Sequence, residues 1–453
     1  IKDLPLLFID DEADQASVNT NEEAELESLE DDDPDIYDNP TAINAKIRLI
    51  LSQFNKHTYI GYSATPFCNA FIDQNAGNFL NTHYKALKDP TTKKTVRDEE
   101  GRIIKEPVQR TVKDVDDLFP RNFCHVMPVP STYWGGREIF NVHADITSDD
   151  EDEITHIPQV IPIEDLYDGN NNELADDLNW CPSRRLTTDF IPTYKGNREI
   201  PPSLRKAIMC FVMNVCIKNF RKMKNQHNTM LIHTSHLTAI QSRIRDQVRE
   251  FQDNLLTELS AGYEKRFDEF KTLLDEYKNI QNEFNRIIEH EYPKEWNKSI
   301  EYQSLPDWDY VKSNLLDSVS QIQKAVVLNS SRDSASLDMY RNKKGRSVIV
   351  IGANKLNRGV VLKGLSVSYF RRNARQKDTL LQMGRWFGYR SGYKDICRYF
   401  TEREIINNYR ESIATSENYK ARIIRMNNTE PKGTPADLGL MIRHSPHIRV
   451  TRP

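Results

Sequence analysis

Short apolar runs recur along this chain, each bounded by the polar or glycine residues that end a strand. Leu6-Leu7-Phe8-Ile9 is the first and closes on Asp10-Asp11-Glu12-Ala13-Asp14. Thr58-Tyr59-Ile60-Gly61-Tyr62 is the second and leads into Ser63-Ala64-Thr65-Pro66. Thr229 to Ser235, Lys324 to Asn329, Ser347 to Ile351, Val367 to Arg371 and Ile396 to Thr401 repeat the pattern, and Phe123 to Val129 reads as one more strand. Continuous apolar runs of this length suit strands buried on both faces, as in a parallel sheet. Helical spacing separates them. Ala42 to Phe54 is helical, and from Leu204 onward Ala207, Ile208, Phe211, Val212, Val215 and Cys216 fall on one face. Between Ala239 and Glu291 apolar residues from Phe251 to Ile287 are mostly three or four apart, which predicts a long amphipathic hairpin or coiled-coil insert. Leu337 to Lys343 reads as a further helix. Strand and helix alternating in this way predict an α/β fold with helices on both faces of a parallel sheet.

Length and charge divide the chain. At 453 residues it exceeds one ordinary core. Asn21 to Asp38 carries a dense acidic run and reads as a solvated loop, and residues 78–117 are polar and mixed in charge. Trp134-Gly135-Gly136-Arg137 reads as a tight turn. We therefore expect a first domain over 1–140, a connector over 141–204, and a second domain over 205–425 with a helical insert at about 239–320. A C-terminal extension over 426–453 completes the division. The six cysteines are scattered with no Cys-x-x-Cys pair, which argues against a zinc site or disulfide framework and fits a reducing cytoplasm. No run approaches a membrane span, so no membrane partner is expected. A net charge of −4 neither advertises nor forbids contact with nucleic acid.

The candidate chemistry sits where the strands end. Carboxylates at the C-terminal end of a parallel strand lie where open α/β sheets bind ligands. One carboxylate there can hold Mg²⁺ and its neighbour can polarise a water for attack on a γ-phosphate. An acidic first turn of a helix is the ordinary alternative. Much later, Gly352-Ala353-Asn354-Lys355-Leu356-Asn357-Arg358-Gly359 ends a strand, and Asp378 to Arg390 opens as a helix carrying Arg385 and Arg390.

In this order the segments resemble motifs two, three, five and six of superfamily-two helicase-like ATPases. Their wording is similar to the bacterial Z-one domain family: IDDEADQASVNT (Ile9 to Thr20), GYSATPF (Gly61 to Phe67), GANKLNRGVVLKGL (Gly352 to Leu365) and DTLLQMGRWFGYR (Asp378 to Arg390). The resemblance implies two RecA-like parallel-sheet lobes, the first N-terminally incomplete, with a long helical insertion in the second. It implies ATP and Mg²⁺ as cofactors, with Asp11 on the metal and Glu12 as the water-orienting base. Asp10 departs from the wider superfamily, which has an apolar residue there, and leaves open which carboxylate faces the metal. Asp14 is expected to pair with a second-lobe or motif-three group.

Ser63, Ala64 and Thr65 would relay the nucleotide state to the nucleic-acid path. Arg385 is the first choice for an arginine finger and Arg390 the second; Arg358, Gly359 and Gln382 would add nucleotide contacts. Around motifs five and six, Lys355, Asn357, Arg371, Arg372 and Arg375 form the most basic strip and would follow DNA phosphates. Solvent-facing arginine is the bland alternative for each. Trp386 and Phe387 are expected to anchor the core rather than stack on bases.

The resemblance further implies a DNA-acting, duplex-tracking motor subunit of a restriction or phage-defence system, working with a separate nuclease or specificity subunit. The alternatives are a non-catalytic scaffold binding DNA or a partner, and direct endonuclease action. His83, Lys85 and Asp89 lack the spacing of a nuclease element, and His444 and His447 lack a third ligand. None of the 17 glycines is followed by lysine, so the phosphate-cradling loop is absent from this stretch. Taken alone, the stretch is expected to bind nucleotide poorly and not to hydrolyse it.

Overall fold

The computed structural model describes residues 2–14, 17, 24–26, 35–37, 41–65, 79–88, 95–97, 102–112, 117–130, 133–140, 142, 157–166, 180–181, 187–291, 304–328, 345–352, 361–372, 374, 377–429 and 432–438. Two compact units divide the chain: Ile1–Met127 together with Asn418–Pro453, and Pro128–Glu417. Among the described residues no helix is long and apolar enough to cross a membrane.

The smaller unit is built on two parallel strands, β1 (Pro5–Asp11) and β4 (Lys56–Tyr62), with short antiparallel pairs β2 (Ala24–Leu26) with β3 (Asp35–Tyr37) and β5 (Phe79–Ala86) with β6 (Lys105–Val112). Helix α1 (Ala42–Leu51) presses Ile47 and Leu51 onto Leu118, and Leu6, Phe8 and Tyr59 pack around them. Side chains alternate across a strand. Leu6 and Phe8 therefore face this core, while Leu7 and Ile9 are each 59% exposed. Phe123 to Val129, expected as a strand, is irregular: Phe123, Met127 and Val129 are exposed and the segment joins no ladder among the described residues. Apolar composition favours a strand only where a neighbour accepts its hydrogen bonds.

In the larger unit, β7 (Tyr133–Trp134) leads through Gly135 into the short helix α2 (Gly136–Ile139), in place of the expected tight turn. A six-stranded sheet follows, parallel throughout, in the order β10-β11-β9-β12-β14-β8. Its strands are β8 (Val160–Pro162), β9 (Asn228–His233), β10 (Ile322–Leu328), β11 (Ser347–Gly352), β12 (Leu365–Phe370) and β14 (Arg398–Thr401). The antiparallel pair of β13 (Gly388–Tyr389) with β7 lies outside this sheet. Strands β9, β11, β12 and β14 are buried at every position, polar residues such as Thr229, Ser368 and Arg398 included, as in a parallel sheet covered on both faces. Both β8 and the buried Trp180, which sets its ring edge-on to Tyr369, fall in the stretch read as a connector.

Tyr369 and Phe370 point to opposite faces of β12 and show what covers each. Tyr369 shares a hydrogen bond of 2.9 Å with Ser203 in the first turn of α3 (Pro202–Phe220). Phe370 packs on Trp386 and on Tyr409. Helix α4 (Thr238–Ser260) covers β10 and β11, and after Gly262 (φ +71°) the chain reverses into α5 (Glu264–Glu291). Asp307 caps α6 (Trp308–Ser320), which lies across α3 and α4. Thus α4 and α6, within the stretch expected as an insert, pack directly on the sheet or on its covering helix. Helix α7 (Lys377–Met383) and the long α8 (Arg403–Asn427) follow β12 and β14. The expected helix from Leu337 to Lys343 lies outside the described residues.

Helix α3 is buried nearly all round rather than on one face, and it takes two polar side chains inside with it. Asn214 accepts from the Tyr277 hydroxyl at 2.8 Å. Lys218 is fully buried with its ammonium 3.7 Å from the Tyr393 ring centre, and burial pulls its pKa down to about 7.

Candidate functional site

In the smaller unit, β1 and β4 run parallel and in register, with Asp10 opposite Gly61 and Asp11 opposite Tyr62. The acidic cluster and Ser63-Ala64-Thr65 therefore emerge side by side at the C-terminal edge of one sheet. The backbone of Ala13 donates to the Tyr62 carbonyl at 2.9 Å, which folds the acidic turn back over β4. Gly61 permits it: a Cβ there would stand 2.9 Å from the Ala13 Cβ.

Each carboxylate of the cluster has a different surrounding. Asp10 accepts from the Tyr59 hydroxyl at 2.7 Å; burial first, and then Asp10, drives the phenol of Tyr59 far above its usual range. Asp14 is buried and accepts from the Thr65 hydroxyl at 2.8 Å, the motif-three one of the two pairings expected for it. Ser63 in turn accepts the backbone N–H of Thr65 at 2.9 Å and holds the Ser-Ala-Thr turn in shape. Asp11 and Glu12 face solvent. The N–H of Glu12 donates to Asp11 Oδ1 at 3.1 Å, and Glu12 adopts a left-handed backbone with φ +61°. Such a conformation in a non-glycine residue costs about 1 kcal/mol and concentrates at sites of function.

A second layer went unnoticed in the sequence. Asn44 of α1 donates to the Ser17 carbonyl at 2.7 Å and to Asp117 Oδ1 at 2.9 Å, and Asp117 also accepts from the Leu118 N–H at 2.6 Å. Buried Arg48 lies 3.9 Å from the same carboxylate. These groups tie the chain just after the acidic cluster to the core. The signal was Asn44 and Arg48, four apart and so on one face of the helix that also carries the inward-facing Ile47 and Leu51. Among the described residues no three His, Cys, Asp or Glu side chains converge as a metal cage. Two exposed carboxylates at a strand end suit Mg²⁺, which keeps most of its water and takes one or two carboxylates plus phosphate oxygens.

In the larger unit the arginines separate by environment. Arg371, expected on the phosphate-following strip, is 2% exposed; its Nε donates to Glu402 at 2.7 Å and its Nη1 to the Cys181 carbonyl at 2.8 Å. It directly follows a strand buried at every position, so its charge is matched from inside the protein. Arg390 is also buried and donates to the carbonyls of Tyr389, Arg385 and Trp386, bracing its own loop. Arg385 is only partly buried. The expected motif-six helix stops at Met383, because Gly384 must pass the Phe387 ring where a Cβ would come within 2.5 Å. Arg385 therefore sits in a turn. Trp386 is a core anchor, edge-on to Phe370 and Tyr409. Gln382 lies in the last turn of α7. Lys355, Asn357, Arg358, Gly359 and Arg375 lie outside the described residues.

One residue near these arginines was not anticipated. His233 ends β9, opposite Phe370, and is fully buried with that ring edge-on at 5.0 Å. Burial, then Arg372 and Arg385, lower its pKa to about 3, so the imidazole is neutral. A lone histidine closing an apolar run reads as core, which is why it drew no role from its sequence context.

Compared with known families, residues 203–448 match the family model described as the Z1 domain. The matched range holds His233, Arg372, Arg385 and the last five strands of the six-stranded sheet, and Asp11, Glu12 and Thr65 precede it. No curated protein and no solved structure matches the chain.

Proposed function

We infer the function from one premise: this chain belongs to the Z1 domain family, whose model matches more than half of it. On that premise it is the core of an ATP-dependent motor acting on DNA, in which nucleotide turnover drives translocation along duplex or activates a separate nuclease. The observation that carries this reading is the register of β1 with β4, which sets Asp11 and Glu12 beside the Asp14–Thr65 hydrogen bond. Asp11 would hold Mg²⁺ through its water shell and Glu12 would orient the attacking water. Mg²⁺ supplies charge neutralisation at the phosphates when bound. Thr65 is tied to the acidic cluster through Asp14, so a change at the carboxylates reaches the segment that follows β4. Arg385, in its turn, is the guanidinium assigned to the γ-phosphate. Arg371 and Arg390 are left out of the assignment, because each is already spent inside the protein. Arg372 remains in the DNA-following role.

The test is ATP turnover by the full-length protein, with and without duplex DNA, beside Glu12→Gln. DNA-stimulated hydrolysis that falls at least about a hundredfold in Glu12→Gln supports the motor and assigns its base. No hydrolysis under any DNA would replace it with the scaffold reading.

A further inference from the structure

The strand order places a crevice in the larger unit. From the end of β9 the chain runs through α4 to β10 on one side of the sheet; from the end of β12 it runs through α7 to β14 on the other. Adjacent parallel strands whose connections diverge open a gap at their C-terminal ends, and open α/β sheets bind ligands there. Here the gap lies between His233, at the end of β9, and Arg371-Arg372, just past β12, with the Arg371 N–H bonded to the His233 carbonyl at 3.0 Å.

What lines this gap is short of acceptors. Both ring nitrogens of His233 are buried without a hydrogen-bond partner among the described residues, and so is Nη1 of Arg372. Leaving a buried donor unmatched costs free energy that a structural role does not recover. Arg371 next door shows the contrast, since its charge is met by Glu402 and a carbonyl. Burial depresses the basicity of the Arg372 guanidinium itself, and Arg372 and Arg385 both stand close enough to His233 to disfavour a charge on it. The neutral imidazole keeps one N–H to donate. The Phe370 ring packs against the imidazole at an interplanar angle of 71°.

We propose that this crevice is an oxyanion site, in which His233 and Arg372, with Arg385 beside them, hold the oxygens of a phosphate group. A guanidinium, a second guanidinium and an imidazole N–H reach it from three separate elements. That is the donor set of a tetrahedral anion carrying more than one charge rather than of a carboxylate. The site adds His233 to the proposed motor and joins Arg372 to it in one anion site, and rests on that reading only for where the phosphate comes from. Free phosphate, the terminal phosphate of a nucleotide and a DNA backbone phosphate share the chemistry.

The experiment uses full-length protein labelled with [13Cε1]histidine, the His233 signal being assigned by its loss in His233→Gln. Inorganic phosphate is titrated first. The expected result is a saturable shift of the His233 signal, with affinity weakened roughly tenfold in Arg372→Gln. Lys363→Gln, which removes an exposed charge near the opposite end of β12, should bind as the wild type does. A non-hydrolysable ATP analogue and duplex DNA are then compared with phosphate. Tighter binding of either identifies the source, and equal binding assigns free phosphate. A His233 signal that phosphate leaves unmoved, or that moves equally in Arg372→Gln, overturns the proposal whether or not the protein hydrolyses ATP. Should Arg372→Gln fail to fold, the wild-type titration and Arg372→Lys decide the matter.

Discussion

The two parallel sheets of this protein answer the same sequence pattern differently. In the larger unit β9, β11 and β12 are buried at every position, with polar residues such as Thr229, His233, Ser366 and Ser368 taken inside beside the apolar ones. In the smaller unit β1 carries the apolar run Leu6 to Ile9, yet Leu7 and Ile9 stand 59% exposed while Leu6 and Phe8 pack partly buried against the core. An unbroken apolar run thus reports how much cover a strand can take, and the packing reports how much it has. The difference also separates two kinds of chemistry. The sparsely covered sheet leaves Asp11 and Glu12 in water, where a hydrated metal suits them. The fully covered sheet buries His233, the helix α3 packed on it buries Lys218, and burial lowers the pKa of each.

The largest test of this contrast is a pair of truncations read by denaturant unfolding. Ile349→Ala, in the fully buried β11, should cost roughly 2–5 kcal/mol, and Ile9→Ala under about 1 kcal/mol. An Ile9→Ala cost matching that of Ile349→Ala would mean that β1 is covered on both faces in solution.

The dryness of the larger unit has a pH signature. Lys218 titrates near 10.5 unfolded and at about 7 folded. Between those values the unfolded chain holds a proton that the folded one lacks, so stability rises with pH across the window. Below about pH 7 the ammonium is charged in both states and its burial penalty is complete. Lys218→Met should therefore stabilise most at about pH 6, by a few kcal/mol, and lose that advantage towards about pH 10. Melting curves of the two proteins at both pH values decide it, and parallel pH profiles would show that water reaches Lys218.

A smaller effect is expected from the buried Asp14–Thr65 hydrogen bond, which joins the acidic cluster to the segment after β4. Thr65→Val should cost about 1–2 kcal/mol by leaving Asp14 Oδ2 without its hydroxyl. A double-mutant cycle with Asp14→Asn should show coupling of roughly 1 kcal/mol, and strict additivity would remove the link between the two motifs.

Much of the larger unit was legible, because an apolar run bounded by polar residues has few interpretations. The strands from β9 to β12 fall within a few residues of their apolar runs, and the strand-end motifs narrowed the Asp14 partner to two groups, of which Thr65 is one. What failed has common physical causes. Phe123 to Val129 has strand composition but no neighbour, and pairing is not written in a single segment. Arg371 and Arg372 are adjacent and identical in type; only the third dimension gives one of them Glu402 and leaves the other with a buried Nη1 unmatched. Helix α7 ends early because the Phe387 ring needs the space at Gly384, a contact that helical periodicity does not encode.

The backbone at Glu12 has a consequence for how this protein changes over generations. Its φ of +61° is a conformation that glycine or asparagine adopts at least cost, and neither can serve as a base. The most comfortable replacements at this position would therefore leave the fold slightly firmer while removing the carboxylate to which the proposed motor assigns its base. If that role holds, activity here can be lost with no loss of structure, and a glutamate kept in this conformation is kept for turnover rather than for the fold.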